Sequence, residues 1–367
     1  MAGDKMRNIL AAMTSRRFFG VFTGVLITAV IQSSSATSVM VVSFVNAGLL
    51  NLAESAGVIL GANIGTTVTA WIISILGFKV NISTLALPLI GISFPLIFSK
   101  NTRRRAWGEL IIGFALLFLG LEYLKSAVPN IEDNSEILRF LADFAGSGLP
   151  TTLLFLGIGT LLTIVIQSSS ATMALTLVMC NNGWISFDLA AAMILGENIG
   201  TTITANIAAA VVNKTAKQTA RIHFLANVFG VIWILVIFKS YLLVIDKLMV
   251  AWGGESPFIN VGSIPIALSI FHSTFNILNV TILIWIIPAL IKISERMVRK
   301  DIDEEEFHLK YINTGMVSTS ELALLQAKNE IELYGQRIQK MFNRLKKLFA
   351  DEKDNKFDKT WRKIEEF

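Results

Sequence analysis

The chain has 367 residues, of which 53% are hydrophobic and only 16% charged, with a formal net charge of +5. Soluble domains carry about a quarter charged residues, so the composition excludes an ordinary soluble enzyme. Residues 1–291 hold 16 Lys/Arg and 12 Asp/Glu, whereas residues 292–367 hold 16 and 15: a membrane-like body and a polar, nearly neutral tail. Nucleic acid is excluded as a partner, because no long basic patch interleaved with aromatics is present. Cys180 is the single cysteine, so neither a disulfide framework nor a cysteine-rich metal site is expected.

A helix needs about 20 apolar residues to cross the hydrocarbon core of a bilayer. In chain order, runs 18–31 and 36–50 are each too short and are separated by Gln32-Ser33-Ser34-Ser35. Run 55–78 is long enough to cross, 84–98 is shorter and holds Pro88 and Pro95, and 107–124 is the next crossing. Runs 152–166 and 171–179 repeat the two-arm form around Gln167-Ser168-Ser169-Ser170, and 189–212, 222–238 and 264–291 complete the set. A polar break between short apolar arms predicts a re-entrant hairpin, tolerated at membrane depth where the backbone is buried in protein or lines a watery cavity. The alternative is one continuous helix with a closely packed, serine-rich middle.

Charge favours the hairpins, since cytoplasmic loops are enriched in Lys and Arg. With both termini cytoplasmic and each hairpin returning to its own side, four basic groups fall inside. They are Lys5, Arg7, Arg16 and Arg17; Lys100, Arg103, Arg104 and Arg105; Lys214, Lys217 and Arg221; and Lys292, Arg296, Arg299 and Lys300. Glu132, Asp133, Glu136 and Asp143 fall outside, as do Lys79, Asp246, Lys247 and Glu255. The first hairpin then enters from the cytoplasm and the second from the opposite face.

The motif VIQSSSAT occupies 30–37 and returns at 165–172, 135 positions later. At the same offset Gly61-Ala62-Asn63-Ile64-Gly65-Thr66-Thr67 answers Gly196-Glu197-Asn198-Ile199-Gly200-Thr201-Thr202, and Gly24, Thr28, Asn46 and Gly48 answer Gly159, Thr163, Asn181 and Gly183. Two motifs held at one spacing mark a duplication. With opposite entry sides it is an inverted-topology repeat, the arrangement of secondary transporters. The predicted fold class is therefore all-α: a polytopic membrane protein with inverted repeats, two re-entrant hairpins and broken helices, plus a short cytoplasmic helical tail. The expected organisation is a first transport repeat at 1–106, a second at 107–241, a final transmembrane segment at 242–291 and the tail at 292–367. Glycines four apart weaken a helix, so the duplicated GxNIGTT predicts a functional break in each crossing, in preference to simple close packing of helices.

The paired QSSSAT and GxNIGTT motifs, with VVSFVNAGLL at 41–50, resemble the bacterial form of the type II sodium/phosphate cotransporter family over about residues 3–290. The segment SELALLQAKNEIELYGQRIQKMFNRLKKLF resembles the PhoU-like helical region that often follows the membrane domain. Family members usually begin with a further apolar helix; its counterpart here is 107–124, and the first repeat is expected to lack one, as a truncated chain would. The resemblance implies sodium-coupled symport of inorganic phosphate across the cell membrane, with Na+ as coupling ion, no other cofactor and no enzymatic activity. Its partners would be phosphate, sodium and the lipid bilayer. Sodium-independent or proton-coupled phosphate export, and a membrane-anchored regulatory protein, are the alternatives.

A tetrahedral oxyanion is held well by neutral donors such as Ser hydroxyls and backbone N–H groups at helix starts. Ser33, Ser34, Ser35, Ser168, Ser169 and Ser170 are the candidate phosphate ligands. Neither motif contains Lys or Arg, so bound sodium would offset the anion, and sodium takes oxygen ligands. The candidates are Gln32, Thr37, Asn63, Thr66, Thr67, Gln167, Thr172, Glu197, Asn198, Thr201 and Thr202. Glu197 is the one acidic residue deep within a predicted crossing, and intramembrane carboxylates are functional candidates. A protonated, purely structural Glu is the competing reading.

His223 and Asn227 share a helix face, as do His272 and Asn276, and interhelical hydrogen bonding is their expected role. A serine hydrolase using one of these histidines as base is disfavoured, because a catalytic site needs one nucleophile rather than two symmetric triplets. The tail has helical apolar spacing at Leu322, Leu324, Leu325, Ile331, Leu333, Ile338, Met341, Leu345 and Leu348. Such a face is buried against other helices or a partner, so a homodimer or a cytoplasmic regulatory partner is expected there.

Overall fold

The computed structural model describes residues 13–14, 16–79, 82–127, 148–298 and 320–350. Among them every regular element is a helix: α1 (Arg17–Ile31), α2 (Ser34–Asn46), α3 (Leu52–Ile72, prolonged by a π turn at Ile73–Lys79), α4 (Ala86–Ile97), α5 (Thr102–Ala127), α6 (Leu149–Ile166), α7 (Ser169–Asn181), α8 (Phe187–Ala208), α9 (Lys214–Val236), α10 (Phe238–Ala251), α11 (Ile264–Met297) and α12 (Ser320–Ala350). The chain forms two compact units, Met1–Val298 and Arg299–Phe367. Lys5, Arg7, Glu132, Asp133, Glu136, Asp143, Arg299 and Lys300, used above to orient the chain, lie outside the described residues.

Glycine packing reveals the path of the chain. A Cβ built on Gly20 would lie 3.4 Å from Gly57 Cα, one on Gly61 2.0 Å from Val21 O, and one on Gly65 2.6 Å from Thr28 Cβ. Further along, Thr69 donates to Gln32 Oε1 at 2.7 Å. The partners advance together, so α1 and α3 run parallel. The intervening α2 must therefore return to the face from which α1 entered. A single crossing helix over 18–50 would have left α3 antiparallel to α1.

The second repeat behaves identically. Gly196 faces Leu156 O at 2.0 Å and Gly200 faces Thr163 Cβ at 2.7 Å from their built Cβ positions, which makes α6 and α8 parallel. Inversion follows from a third helix. Ser55 bonds Thr219 and Asn63 bonds Asn227, so α3 and α9 are parallel. Asn206 near the end of α8 bonds Ala220 O near the start of α9, so those two are antiparallel. Helices α3 and α8 consequently run in opposite directions, and the two hairpins enter from opposite faces.

These glycines also correct an expectation. Both GxNIGTT segments lie inside uninterrupted α-helices, α3 and α8. Without a side chain, Gly24, Gly61, Gly159 and Gly196 bring two backbones together where a methyl would stand 2.0–2.2 Å from a carbonyl oxygen. The discontinuities fall instead at the Gln-Ser pairs between hairpin arms.

Among the described residues, five segments are long and apolar enough to cross a membrane: Leu52–Phe78, Thr102–Ala127, Leu149–Ile166, Lys214–Val236 and Val261–Met297. The length of α6 alone would suggest a crossing, but its parallel pairing with α8 makes it a hairpin arm. Helix α8 is not in the set because Glu197, Asn198, Thr201 and Thr202, all in its buried interior, lower its apolarity. The run at 84–98 becomes a short 3-10 turn and α4. Its twelve residues reach about 18 Å, well short of the ~30 Å hydrocarbon core. Helix α10, which the sequence reading treats as an outer connection, buries Phe238, Tyr241, Leu242, Ile245 and Met249 along one face. In the second unit, α12 leaves Ile331, Tyr334, Ile338 and Phe342 exposed; the side chains of Leu322, Leu324, Leu325 and Leu348 lie outside the description.

Candidate functional site

The two hairpin tips are copies in geometry as well as sequence. Gln32 closes α1 at φ 58°, ψ 26°, and Gln167 closes α6 at φ 57°, ψ 25°. They are the non-glycine residues with positive φ among the described residues. That conformation costs roughly 1–2 kcal/mol, and such strain concentrates at functional sites. Ser33 and Ser168 then cap α2 and α7, their Oγ atoms accepting from Ala36 N and Ala171 N at 3.2 Å. The amides of Ser34, Ser35, Ser169 and Ser170 belong to the first helical turn and have no acceptor within their own helix. Each tip thus presents backbone donors, serine hydroxyls and the positive end of a helix dipole.

The tips differ in how they are braced. Thr28 Oγ1 donates to Thr37 Oγ1 at 3.0 Å across the first hairpin. The counterpart Thr163 Oγ1 is buried without a partner, although Thr172 repeats Thr37's bond to the preceding cap, donating to Ser168 O at 3.0 Å. Gln32 is tied on both sides of its amide, donating to Ala29 O and accepting from Thr69, while Gln167 is exposed. Thr69 holds Gln32 and lines, with Ser170 and Ala171 of the second tip, a cavity of about 350 Å³ that Leu117, Leu121 and Leu124 of α5 also line.

The remaining candidates lie along the helix seams. Thr66, Thr67, Thr201 and Thr202 donate back to carbonyls of their own helices at 2.7–3.0 Å, which leaves their oxygen lone pairs available to a cation. Asn63 donates to Asn227 Oδ1 and meets His223 Nε2, both at 3.2 Å. Asn198 Oδ1 meets His272 Nε2 at 3.3 Å. Both histidines thus make the interhelical bonds expected of them. Glu197, 2% exposed, accepts from Thr176 Oγ1 at 2.8 Å. In the first repeat the same two positions are Ala62 and Val41, both apolar and buried, so one apolar pair has become a polar pair. Thr69 and Thr176 were missed by the sequence reading. Thr69 could have been found, since Thr204 answers it at the same 135-residue offset; Thr176 could not, because Val41 breaks the match.

A parallel α1–α3 pair, an inverted α6–α8 pair and two re-entrant tips define an all-α, polytopic membrane protein built on an inverted repeat. The chain belongs to the Na+/Pi-cotransporter family, whose model matches residues 1–126 and 146–273. It is 27% identical over 354 residues to the Salmonella typhimurium protein named "Putative inorganic phosphate export protein YjbB", covering 95% of this chain and 61% of that relative. It is 32% identical over 238 residues to YqeW of Bacillus subtilis, a protein named as uncharacterized, covering 64% of this chain and 74% of YqeW. A 76-residue stretch is 37% identical to sodium-dependent phosphate transport protein 2A of Rattus norvegicus, covering 21% of this chain and 12% of that protein. The chain therefore spans about three-fifths of the YjbB relatives. No solved structure matches.

Proposed function

We propose that this chain carries inorganic phosphate across the cell membrane in a cycle coupled to sodium, with both termini in the cytoplasm. The observation that carries the reading is the pair of Gln-Ser-Ser-Ser tips with matching backbone angles and caps, entering from opposite faces and rich in neutral donors, with no Lys or Arg in either motif. Ser33, Ser34, Ser35, Ser168, Ser169 and Ser170 hold the oxyanion. Sodium bound by Gln32, Thr37, Gln167, Thr172 and the oxygens of Asn63, Thr66, Thr67, Glu197, Asn198, Thr201 and Thr202 offsets its charge. No enzymatic step is assigned, since nothing distinguishes one serine triplet as a nucleophile.

Direction has a second reading. The YjbB relatives are named for phosphate export, which favours net efflux through the same alternating site. Equilibrium binding of labelled phosphate to the purified protein tests the coupling. Binding in sodium and its loss in choline is expected; equal binding in sodium, potassium and choline removes sodium from the cycle. Ser35→Ala or Ser170→Ala removes one hydrogen bond to a charged ligand, about 1.5–3 kcal/mol, and weakens phosphate binding roughly ten- to a hundredfold.

A further inference from the structure

The His-x-x-x-Asn pair of α9 recurs on α11, 49 positions later, yet the two are satisfied unequally. On α9, His223 has a partner at both ring nitrogens: Asn63 Oδ1 at 3.2 Å and Ser38 Oγ at 3.4 Å. Asn63 and Asn227 complete that group with a direct amide bond. On α11, His272 Nδ1, Asn276 Oδ1 and the facing Asn198 Nδ2 have no partner, although the three residues are 3%, 0% and 9% exposed. Part of the cause is legible: the counterpart of Ser38 is Met173, which cannot donate. An unsatisfied buried polar atom costs about 1–3 kcal/mol, and a bound water is the usual remedy. One N–H donor, one carbonyl acceptor and one ring nitrogen able to play either part match a water molecule better than a bare ion.

The same face of α11 continues this polarity toward one side of the bundle. Ser269 Oγ lies 2.8 Å from Ser74 Oγ, and Ser273 Oγ accepts from Trp71 Nε1 at 2.9 Å. Trp71 and Ser74 also line a cavity of about 750 Å³ that includes Glu255 and Asn260. On α9 the positions equivalent to Ser269 and Ser273 are Ala220 and Phe224. The α3–α9 seam has a polar pair of its own one turn before His223, Ser55 and Thr219 at 3.1 Å, but no buried polar atom of Ser55, Asn63, Thr219, His223 or Asn227 lacks a partner.

We propose that the buried face of α11 lying between α3 and α8 is a hydrated passage: water bound at Asn198, His272 and Asn276 connects the cavity beside Trp71 and Ser74 to the neighbourhood of Glu197, while the corresponding face of α9 is dry. This deepens the reading of Glu197 as a cation ligand, by giving a cation or proton a route to it from one face. Only that last step rests on the proposed function, because hydration of the passage is measured without transport.

The test uses Ser269→Cys and Ala220→Cys in the full chain on a Cys180→Ala background, reconstituted in phosphatidylcholine vesicles and exposed to a small aqueous methanethiosulfonate. Both native side chains are fully buried, and buried thiols without water access are inert, so packing alone predicts that neither labels. Hydration predicts labelling of Ser269→Cys and none of Ala220→Cys. It also predicts loss of labelling when Met173→Ser supplies His272 with the hydroxyl that Ser38 gives His223. Protection of Ser269→Cys, or equal labelling of the two sites, overturns the proposal. Should Ser269→Cys fail to yield folded protein, Asn276→Cys, at an equally buried position, takes its place with the same outcomes.

Discussion

Gly61 and Gly113 show how one residue type does different work in two helices. Gly61 sits where a methyl would press on Val21 O, whereas Gly113 on α5 has nothing within 4 Å of its built Cβ. Gly61→Ala should destabilise the protein by about 1–3 kcal/mol through overpacking. Gly113→Ala should leave stability unchanged or raise it by up to ~1 kcal/mol, the helix-propensity difference; thermal unfolding in detergent measures both. Ser38→Ala should cost about 1–3 kcal/mol by unpairing the buried His223, checked the same way. Ser38→Thr keeps the hydroxyl and should avoid most of that loss. The duplicated glycines were legible as a motif, but not their role. Whether a Gly-x-x-x-Gly breaks a helix or seats a neighbour depends on the partner backbone, which for Gly61 is Val21, 40 positions earlier in the chain, and has no local signature.

At the scale of elements, the hairpins were legible because polar Gln-Ser tips interrupt the apolar arms, and because the basic residues sort by side only if each hairpin returns. Helix α10 was not, since it is an amphipathic helix of fourteen residues placed directly after α9. Helix α4 is short, with twelve residues, but because α5 crosses once, the opposed directions of α3 and α8 require α4 to pass through the bilayer as well. The inverted repeat makes a topological prediction. Ala47 and Asn182 occupy equivalent turns at the bases of the two hairpins. Ala47→Cys and Asn182→Cys, on the Cys180→Ala background, should label with an impermeant maleimide from opposite faces of oriented vesicles. Labelling from one and the same face would contradict the inversion.

At the scale of the whole molecule, the chain divides after Val298, and the candidate phosphate and sodium residues all lie in the first unit. Removing residues 299–367 should therefore preserve sodium-dependent phosphate binding while altering regulation or self-association, as read by binding and by size-exclusion chromatography with light scattering. The tail's helix was legible from its apolar spacing, and Ile331, Ile338 and Phe342 are exposed on it. The chemistry of the tips was legible as residue type and repetition. The bond from Thr69 to Gln32 and the unequal bracing of the two tips needed three dimensions. The most direct measurement of the central claim is flux of labelled phosphate in proteoliposomes holding the full chain, with an imposed sodium gradient. The account predicts phosphate movement down the sodium gradient that stops in potassium or choline and falls at least about tenfold in the Ser35→Ala and Ser170→Ala double variant. Equal flux with and without sodium, or undiminished flux in the double variant, would contradict it.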